Sequence, residues 1–154
     1  HIGKTPALIV FLLDVGKGVA AILLARKFGL NEIIQVAAGI AALSGHIWPV
    51  WLKWKGGKAV ATGLGVFLGI SWHVGLASLG IFLSVLSASK IVSLSSISAA
   101  ISLPILMLLS FKTSSFSIAY LLISFTAMLL VLWRHKSNIQ RLINGKEPKI
   151  GKSN

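Results

Sequence analysis

The feature that most constrains this chain is the length of its apolar runs. They extend over Thr5 to Ala25, Ile33 to Leu52, Ala59 to Ser87, Ile91 to Phe111 and Thr113 to Trp133. About 20 helical residues cross a hydrocarbon core of roughly 30 Å, and in lipid only helices or closed barrels satisfy every backbone amide. Four of the runs fit one helix each. The third is too long for one helix and short for two, and the interruption "SWH" at Ser71 to His73 is where it breaks into two short spans. The expected fold is all-α: a polytopic transmembrane helix bundle of about six spans. It forms a single integral-membrane domain over 1–154, with a basic cytoplasmic tail over 134–154. A mean hydropathy of +0.87 points the same way.

Charge narrows the partners. The only acidic residues are Asp14, Glu32 and Glu147, against fifteen Lys and Arg, for a formal charge of +12. Such a surplus seeks phosphate, acidic lipid or nucleic acid, and the hydropathy argues against nucleic acid. The absence of cysteine excludes a disulfide framework, a thiolate nucleophile and Cys-based metal sites. The few histidines lack carboxylates at ligand spacing, so there is no metal signature and no cofactor is expected.

With six spans, one side of the membrane receives Lys4, Lys53, Lys55, Lys58, Lys90, Arg134, Lys136, Arg141, Lys146, Lys149 and Lys152. The other side receives Arg26, Lys27 and Lys112. Short cytoplasmic loops carry the excess of Lys and Arg, which places both ends and the basic loops inside. Trp48, Trp51, Trp54, Trp72 and Trp133 fall near span ends, where an amphipathic ring anchors at the interface. The serines of "SASKIVSLSSISAAIS" suit helix ends and close helix packing.

Three stretches carry chemistry. In "KWKGGKAVAT", Gly56 and Gly57 allow a close backbone approach to a ligand, and Lys58 stands where a helix begins. Free N–H groups and a positive helix dipole there make an anion site, to which Lys53, Lys55 and neighbouring His46 add polarity. A plain basic loop touching anionic headgroups is the competing reading. "GGK" lacks the spacing of a nucleotide-binding loop. In "LWRHKSNIQRLINGKEP", a helix ending at Asn144 and Gly145 puts Arg134, Asn138 and Arg141 on one stripe with His135 beside them, suited to a phosphate and a polyol. An interfacial anchoring helix is the alternative. In "FLLDVGKGVAA", Asp14 and Lys17 lie inside a span at i, i+3, where ionisable residues support a site or pair with each other or with neighbours. His73 falls on the opposite side from these clusters and is read as incidental.

"LDVGKG" (13–18), "GHIWPVWLKWKGGKAVAT" (45–62) and "RHKSNIQRLINGKE" (134–147), in this order and on one membrane face, resemble the motifs of the bacterial acyl-phosphate:glycerol-3-phosphate acyltransferases, the PlsY family. The resemblance implies a multi-pass enzyme of the bacterial cytoplasmic membrane with its site on the cytoplasmic side. It would transfer a fatty acyl group from acyl phosphate to the 1-hydroxyl of sn-glycerol 3-phosphate, giving lysophosphatidic acid and phosphate as the first step of phospholipid biosynthesis. Its partners would be these two substrates and membrane lipids. By the same carry-over Gly56, Gly57 and Lys58 would bind phosphate, and His135 and Asn138 would belong to the catalytic centre. Arg134, Arg141 and Glu147 match motif positions without an assigned role. A base for the hydroxyl would be His135 or a substrate phosphate oxygen. The family pattern includes a further span and motif loop before the point where this chain begins, so an N-terminally truncated domain is expected. Ala59 stands where the family often has a third glycine, and Trp54 where it often has phenylalanine. A membrane transporter or binding protein for an organic phosphate also suits six spans, but its halves should show an inverted symmetry that is not visible.

Overall fold

The computed structural model describes residues 4–111 and 116–151, and Lys112 and Lys152 of the charge tally lie outside them. The described chain is helical: α1 (Lys4–Lys27), α2 (Glu32–Ile47), a 3-10 turn (Val50–Leu52), α3 (Val60–Ile70), α4 (Trp72–Ser89), α5 (Val92–Leu109), α6 (Ile118–Arg134) and α7 (Lys136–Ile143). The all-α membrane bundle read from the apolar runs is therefore what forms.

The spans differ from one another in length. Thr5–Lys27, Glu32–Leu52, Trp72–Ser89 and Val92–Leu109 are long and apolar enough to cross a membrane, and α6 with α7 makes a fifth element bent by 64°. The break in the third run falls at Ser71, whose backbone is extended at φ −149 and ψ 106. The half before it, α3, is only 11 residues. At 1.5 Å per residue it covers about 16 Å, half of a hydrocarbon core. Among the described residues six apolar helices are thus present, but one is a half-span whose two ends cannot both reach the membrane surfaces.

The half-span is held by backbone contact. A Cβ on Gly18 of α1 would lie 2.4 Å from the Thr62 carbonyl oxygen, and one on Gly65 of α3 would lie 2.0 Å from that of Val15. One turn further along α3, Gly69 meets Ile22. Small residues four apart let helix backbones touch in lipid, where association depends on packing rather than on water. At the far end of α3, Arg26 Nη2 donates to the Ile70 carbonyl at 3.2 Å and satisfies one of the acceptors a helix C-terminus leaves open.

Around this pair, α4 packs on α5, α5 on α6, and α6 on α2. The core gathers Ile22, Leu43, Phe67, Leu103, Met107 and Ile123 from five helices. Serines inside the bundle bond to carbonyls one turn back, as Ser95 Oγ does to Ile91 O at 2.8 Å. Ser78 Oγ instead crosses from α4 to the Ala99 carbonyl of α5 at 3.1 Å. The outward faces stay apolar: Leu8, Leu12 and Leu13 of α1 are more than half exposed, as a surface facing hydrocarbon requires.

Two boundaries depart from the sequence reading. The second run is apolar to Leu52, yet α2 stops at Ile47, because Pro49 has no N–H and its ring excludes the helical turn before it. The expected stripe of Arg134, Asn138 and Arg141 does not form either. The chain bends at His135 (φ −101, ψ 8), which sends Arg134 to one neighbour and Asn138 and Arg141 to another.

Candidate active site

Lys58 stands at the entry of α3, and Ala59 after it adopts a left-handed conformation, φ 61, that starts the helix. The first bond across the α3 boundary is from Gly63 N to Ala59 O. Among the described residues the amides of 59–62 therefore make no backbone bond, and they form the positive end of the half-span.

The glycine amides point elsewhere. Gly56 N donates to Ile47 O at 3.1 Å and Gly57 N to His46 O at 3.2 Å, which caps α2. The free amides at this place are those that follow the glycines. What the glycines supply is close approach: a Cβ on Gly56 would lie 2.0 Å from His46 O, and one on Gly57 2.2 Å from His46 Nε2. On the other side Arg134 clamps the same loop, with Nε donating to Gly57 O at 3.1 Å and Nη2 to Gly56 O at 2.9 Å. The Arg134 guanidinium also lies 5.5 Å from the Trp133 ring, which packs at 5.6 Å on Trp48.

From Lys58 a chain of hydrogen bonds runs to the tail. Lys58 Nζ donates to Asn138 Oδ1 at 2.7 Å, and Asn138 Nδ2 to Glu147 Oε1 at 2.6 Å. Glu147 also accepts from Ser93 Oγ at 2.6 Å and from Arg141 Nε at 2.7 Å. The partners fix the Asn138 amide, since only its oxygen can accept from an ammonium and only its nitrogen can donate to a carboxylate. Gly145, at φ 66, turns the chain after α7 so that Glu147 returns to α5. There Ile150 N donates to Lys90 O at 2.8 Å and pins the tail.

Burial alone would raise the Glu147 carboxyl, but the hydrogen bonds from Ser93, Asn138 and Arg141 and the Arg141 charge outweigh it. They hold it at about 2, against an ordinary 4.5. Lys58 is lowered from 10.5, first by burial and further by Arg141 and Arg134, with Glu147 opposing. Ser93 was not among the residues picked from the sequence, because nothing local sets it apart from the other serines of α5.

His135 is buried at the bend. Its Nδ1 lies 2.8 Å from the Val131 carbonyl, which can only accept, so Nδ1 carries the proton and Nε2 keeps a lone pair. A cavity of about 600 Å³ opens between Lys58, His135, Asn138, Arg141 and Glu147. Beneath it a narrow crevice of about 80 Å³ runs between α3, α4, α5 and α6, lined by Phe67, Gly75, Ala100, Leu103 and Ala127. Phe11, Val60, Ala61, Phe82 and Ser96 belong to both walls, so the polar cavity continues into the apolar crevice.

On α1, Asp14 Oδ1 accepts from Lys17 Nζ at 2.5 Å, and Lys17 Nζ lies 2.8 Å from His46 Nδ1. These three sit behind the glycine loop rather than in the cavity wall. The side chains of Lys53 and Lys55 are exposed and make no hydrogen bond or ion pair among the described residues. His73, set aside as incidental, stacks on Trp72 with ring centroids 3.5 Å apart.

A family model described as glycerol-3-phosphate acyltransferase matches residues 1–145. The chain belongs to the glycerol-3-phosphate acyltransferase family. A relative of that name from Prochlorococcus marinus is 71% identical over 154 residues, which is 100% of this chain and 75% of the relative. Another from a Synechococcus species is 66% identical over 151 residues, covering 98% and 74%. Two crystal structures of PlsY, an integral membrane glycerol 3-phosphate acyltransferase, also resemble it. The glycerol 3-phosphate form matches with TM-score 0.85 at 34% identity, over 97% of this chain and 74% of that one. The lysophosphatidic acid form matches with TM-score 0.86 at 35% identity, over 97% and 75%. Of the three motifs that carried the family resemblance, the second and third line the cavity, and the first packs behind the glycine loop.

Proposed function

We propose that this protein transfers a fatty acyl group from acyl phosphate to the 1-hydroxyl of sn-glycerol 3-phosphate at the bacterial cytoplasmic membrane, with its site on the cytoplasmic side. The observation that carries the reading is the continuity of a cation-lined cavity with an apolar crevice. That combination fits an amphiphile whose charged end is phosphoryl and whose tail is acyl. The named relatives and the two PlsY forms support the reaction, and the concentration of Lys and Arg at this end supports the sidedness.

The step balances without a covalent enzyme intermediate. The glycerol hydroxyl oxygen attacks the acyl carbonyl carbon and forms the ester C–O bond. The bond from that carbon to the phosphate oxygen breaks, and phosphate leaves with the electron pair. The hydroxyl proton passes to His135 Nε2, the lone pair left open by the Val131 bond. Charge grows on the departing phosphate, where Lys58, Arg141 and the amides of 59–62 stand ready to stabilise it. Asn138 and Glu147 hold Lys58 and Arg141 in place. Gly56, Gly57, His46 and Arg134 shape the loop, and Lys53 and Lys55 draw anions to it.

The test is phosphate release from palmitoyl phosphate by the protein purified in detergent, with and without glycerol 3-phosphate. Acceptor-dependent release with lysophosphatidic acid formed is expected, and release indifferent to the acceptor would refute the reading. Lys58→Ala should lower the rate on the order of 10²- to 10³-fold, as loss of a transition-state charge partner does. His135→Ala should lower it roughly 10²- to 10⁴-fold. Near-normal rates in both variants would sink the assignment of the site.

A further inference from the structure

Acyl transfer brings two phosphoryl groups into one cavity, and Lys58, Arg141 and the amides of 59–62 are taken up by the one that leaves. We propose that Lys149 is a substrate-binding residue whose ammonium takes the phosphoryl group of the acceptor, glycerol 3-phosphate, on the tail side of the cavity. This role rests on the proposed acyl transfer and assigns each substrate to one end of the cavity.

The donor's place follows from its chain. An acyl chain in the apolar crevice must pass the residues that both walls share, Phe11, Val60, Ala61, Phe82 and Ser96. Its phosphoryl group then meets the start of α3, where Lys58 and the amides of 59–62 lie. The acceptor is left with the wall built by α5 and the tail, which belongs to the cavity alone and includes Val92, Ser93, Glu147, Pro148, Lys149 and Ile150. Two polar side chains of that wall cannot serve an anion. Glu147 is itself a carboxylate, and Ser93 Oγ donates its proton to Glu147 at 2.6 Å. Among these residues Lys149 is the only cation.

The other cations of the site are engaged with the protein. Lys58 Nζ donates to Asn138, Arg141 Nε to Glu147, and Arg134 to the Gly56 and Gly57 carbonyls. Lys149 is exposed and makes no hydrogen bond or ion pair among the described residues, so the three donors of its ammonium are open to a ligand. The chain nevertheless holds its backbone in place. Just before it, Glu147 is bonded to three side chains and Pro148 has a fixed φ. Just after it, Ile150 N donates to Lys90 O at 2.8 Å. Charge points the same way. Lys58 and Arg141 against Glu147 leave the cavity wall one net positive charge, and Lys149 makes it two. A phosphate monoester carries about 1.5 to 2 negative charges near neutral pH, so without Lys149 the second anion would meet a wall already neutralised by the first.

The experiment compares the wild type, Lys149→Met, Lys149→Arg and Lys146→Met in detergent, varying palmitoyl phosphate or glycerol 3-phosphate at a saturating level of the other. Lys149→Met should raise the KM for glycerol 3-phosphate about tenfold, as loss of one hydrogen bond to a charged group does, while kcat and the KM for palmitoyl phosphate change less than about twofold. Lys149→Arg should restore most of the loss. Lys146 lies on the same tail but not in the cavity wall, so Lys146→Met should keep the wild-type values. Calorimetric titration with glycerol 3-phosphate, without a donor present, should show the same weakening in Lys149→Met. A raised KM for palmitoyl phosphate instead would place Lys149 at the donor and overturn the proposal. An equal loss in Lys146→Met would overturn it too, since the general charge of the tail would then suffice. Acceptor-dependent release by the wild type, with KM and affinity unchanged in Lys149→Met, would refute this role and leave the proposed function standing. Glycerol 3-phosphate binding weakened in Lys149→Met, with no acyl transfer even by the wild type, would refute the proposed function alone.

Discussion

Glu147 is the residue on which the site's geometry turns. Its side chain is 6% exposed, and its oxygens accept from Ser93, Asn138 and Arg141, which joins α5, α7 and the tail. Held at about 2 in the folded protein against an ordinary 4.5, it favours the fold only while ionised. The folded value is the lower one, so this contribution is complete above about 4.5, declines as pH falls below that, and is gone once pH drops through about 2. Thermal unfolding in detergent should therefore show a loss of Tm between these pH values, and Glu147→Gln should flatten that slope while lowering Tm at neutral pH. A variant with the wild-type slope would show that the carboxylate is not the group responsible. Residue types announced part of this site. Lys58, His135, Asn138 and Arg141 were legible because two cations, an imidazole and an amide close to glycines suit phosphate chemistry. The role of Glu147 was not legible, because its partner Ser93 lies 54 residues away and only the left-handed turn at Gly145 brings them together. The glycine amides misled for a related reason: sequence shows that a backbone can approach something, not that the something is the end of α2.

At the scale of elements the half-span α3 decides where the anion loop sits. Its grip on α1 is backbone against backbone at Gly18 and Gly65, so an added methyl has no flexible side chain to displace. Gly65→Val should cost at least about 3 kcal/mol, the upper range for overpacking a well-filled contact, and should lower Tm and activity together. Gly63, whose amide bonds to the Ala59 carbonyl at the start of the helix, is the internal control. A Cβ there meets only Leu43 Cδ2 at 3.8 Å, so Gly63→Ala should leave Tm unchanged or raise it, by up to about 1 kcal/mol of helix propensity. A Gly65→Val protein as stable as the wild type would mean that the crossing has slack, and that the loop is positioned by Arg134 alone. The break at Ser71 was readable because "SWH" interrupts the hydropathy. The bend at His135 was not, since neither glycine nor proline marks it, and its cause is tertiary: Arg134 is drawn to the glycine loop while α7 turns toward Glu147.

For the molecule as a whole, the apolar crevice is the property that no single segment contains. Hydropathy placed each helix in the membrane, but the space depends on small residues from four of them facing one another, among them Gly75 on α4, Ala100 on α5 and Ala127 on α6. A crevice of about 80 Å³ is narrow, so its wall should select among acyl chains by length. Ala100 and Ala127 are buried to 4% and 1% exposure, and a larger side chain at either position must project into the crevice or strain the bundle. Ala100→Leu and Ala127→Leu should therefore lower the rate with palmitoyl phosphate about tenfold or more while largely preserving the rate with octanoyl phosphate. The ratio of the two rates separates this from general damage, because a variant that merely unfolds or loosens loses both substrates in parallel, with a lowered Tm. Equal losses with a wild-type Tm would mean that the acyl chain does not enter the crevice and instead leaves the cavity toward lipid. Selectivity that falls with added volume at both positions, on helices facing each other across the gap, would place the chain between α5 and α6 and tie the polar chemistry around Lys58 to the apolar interior of the bundle.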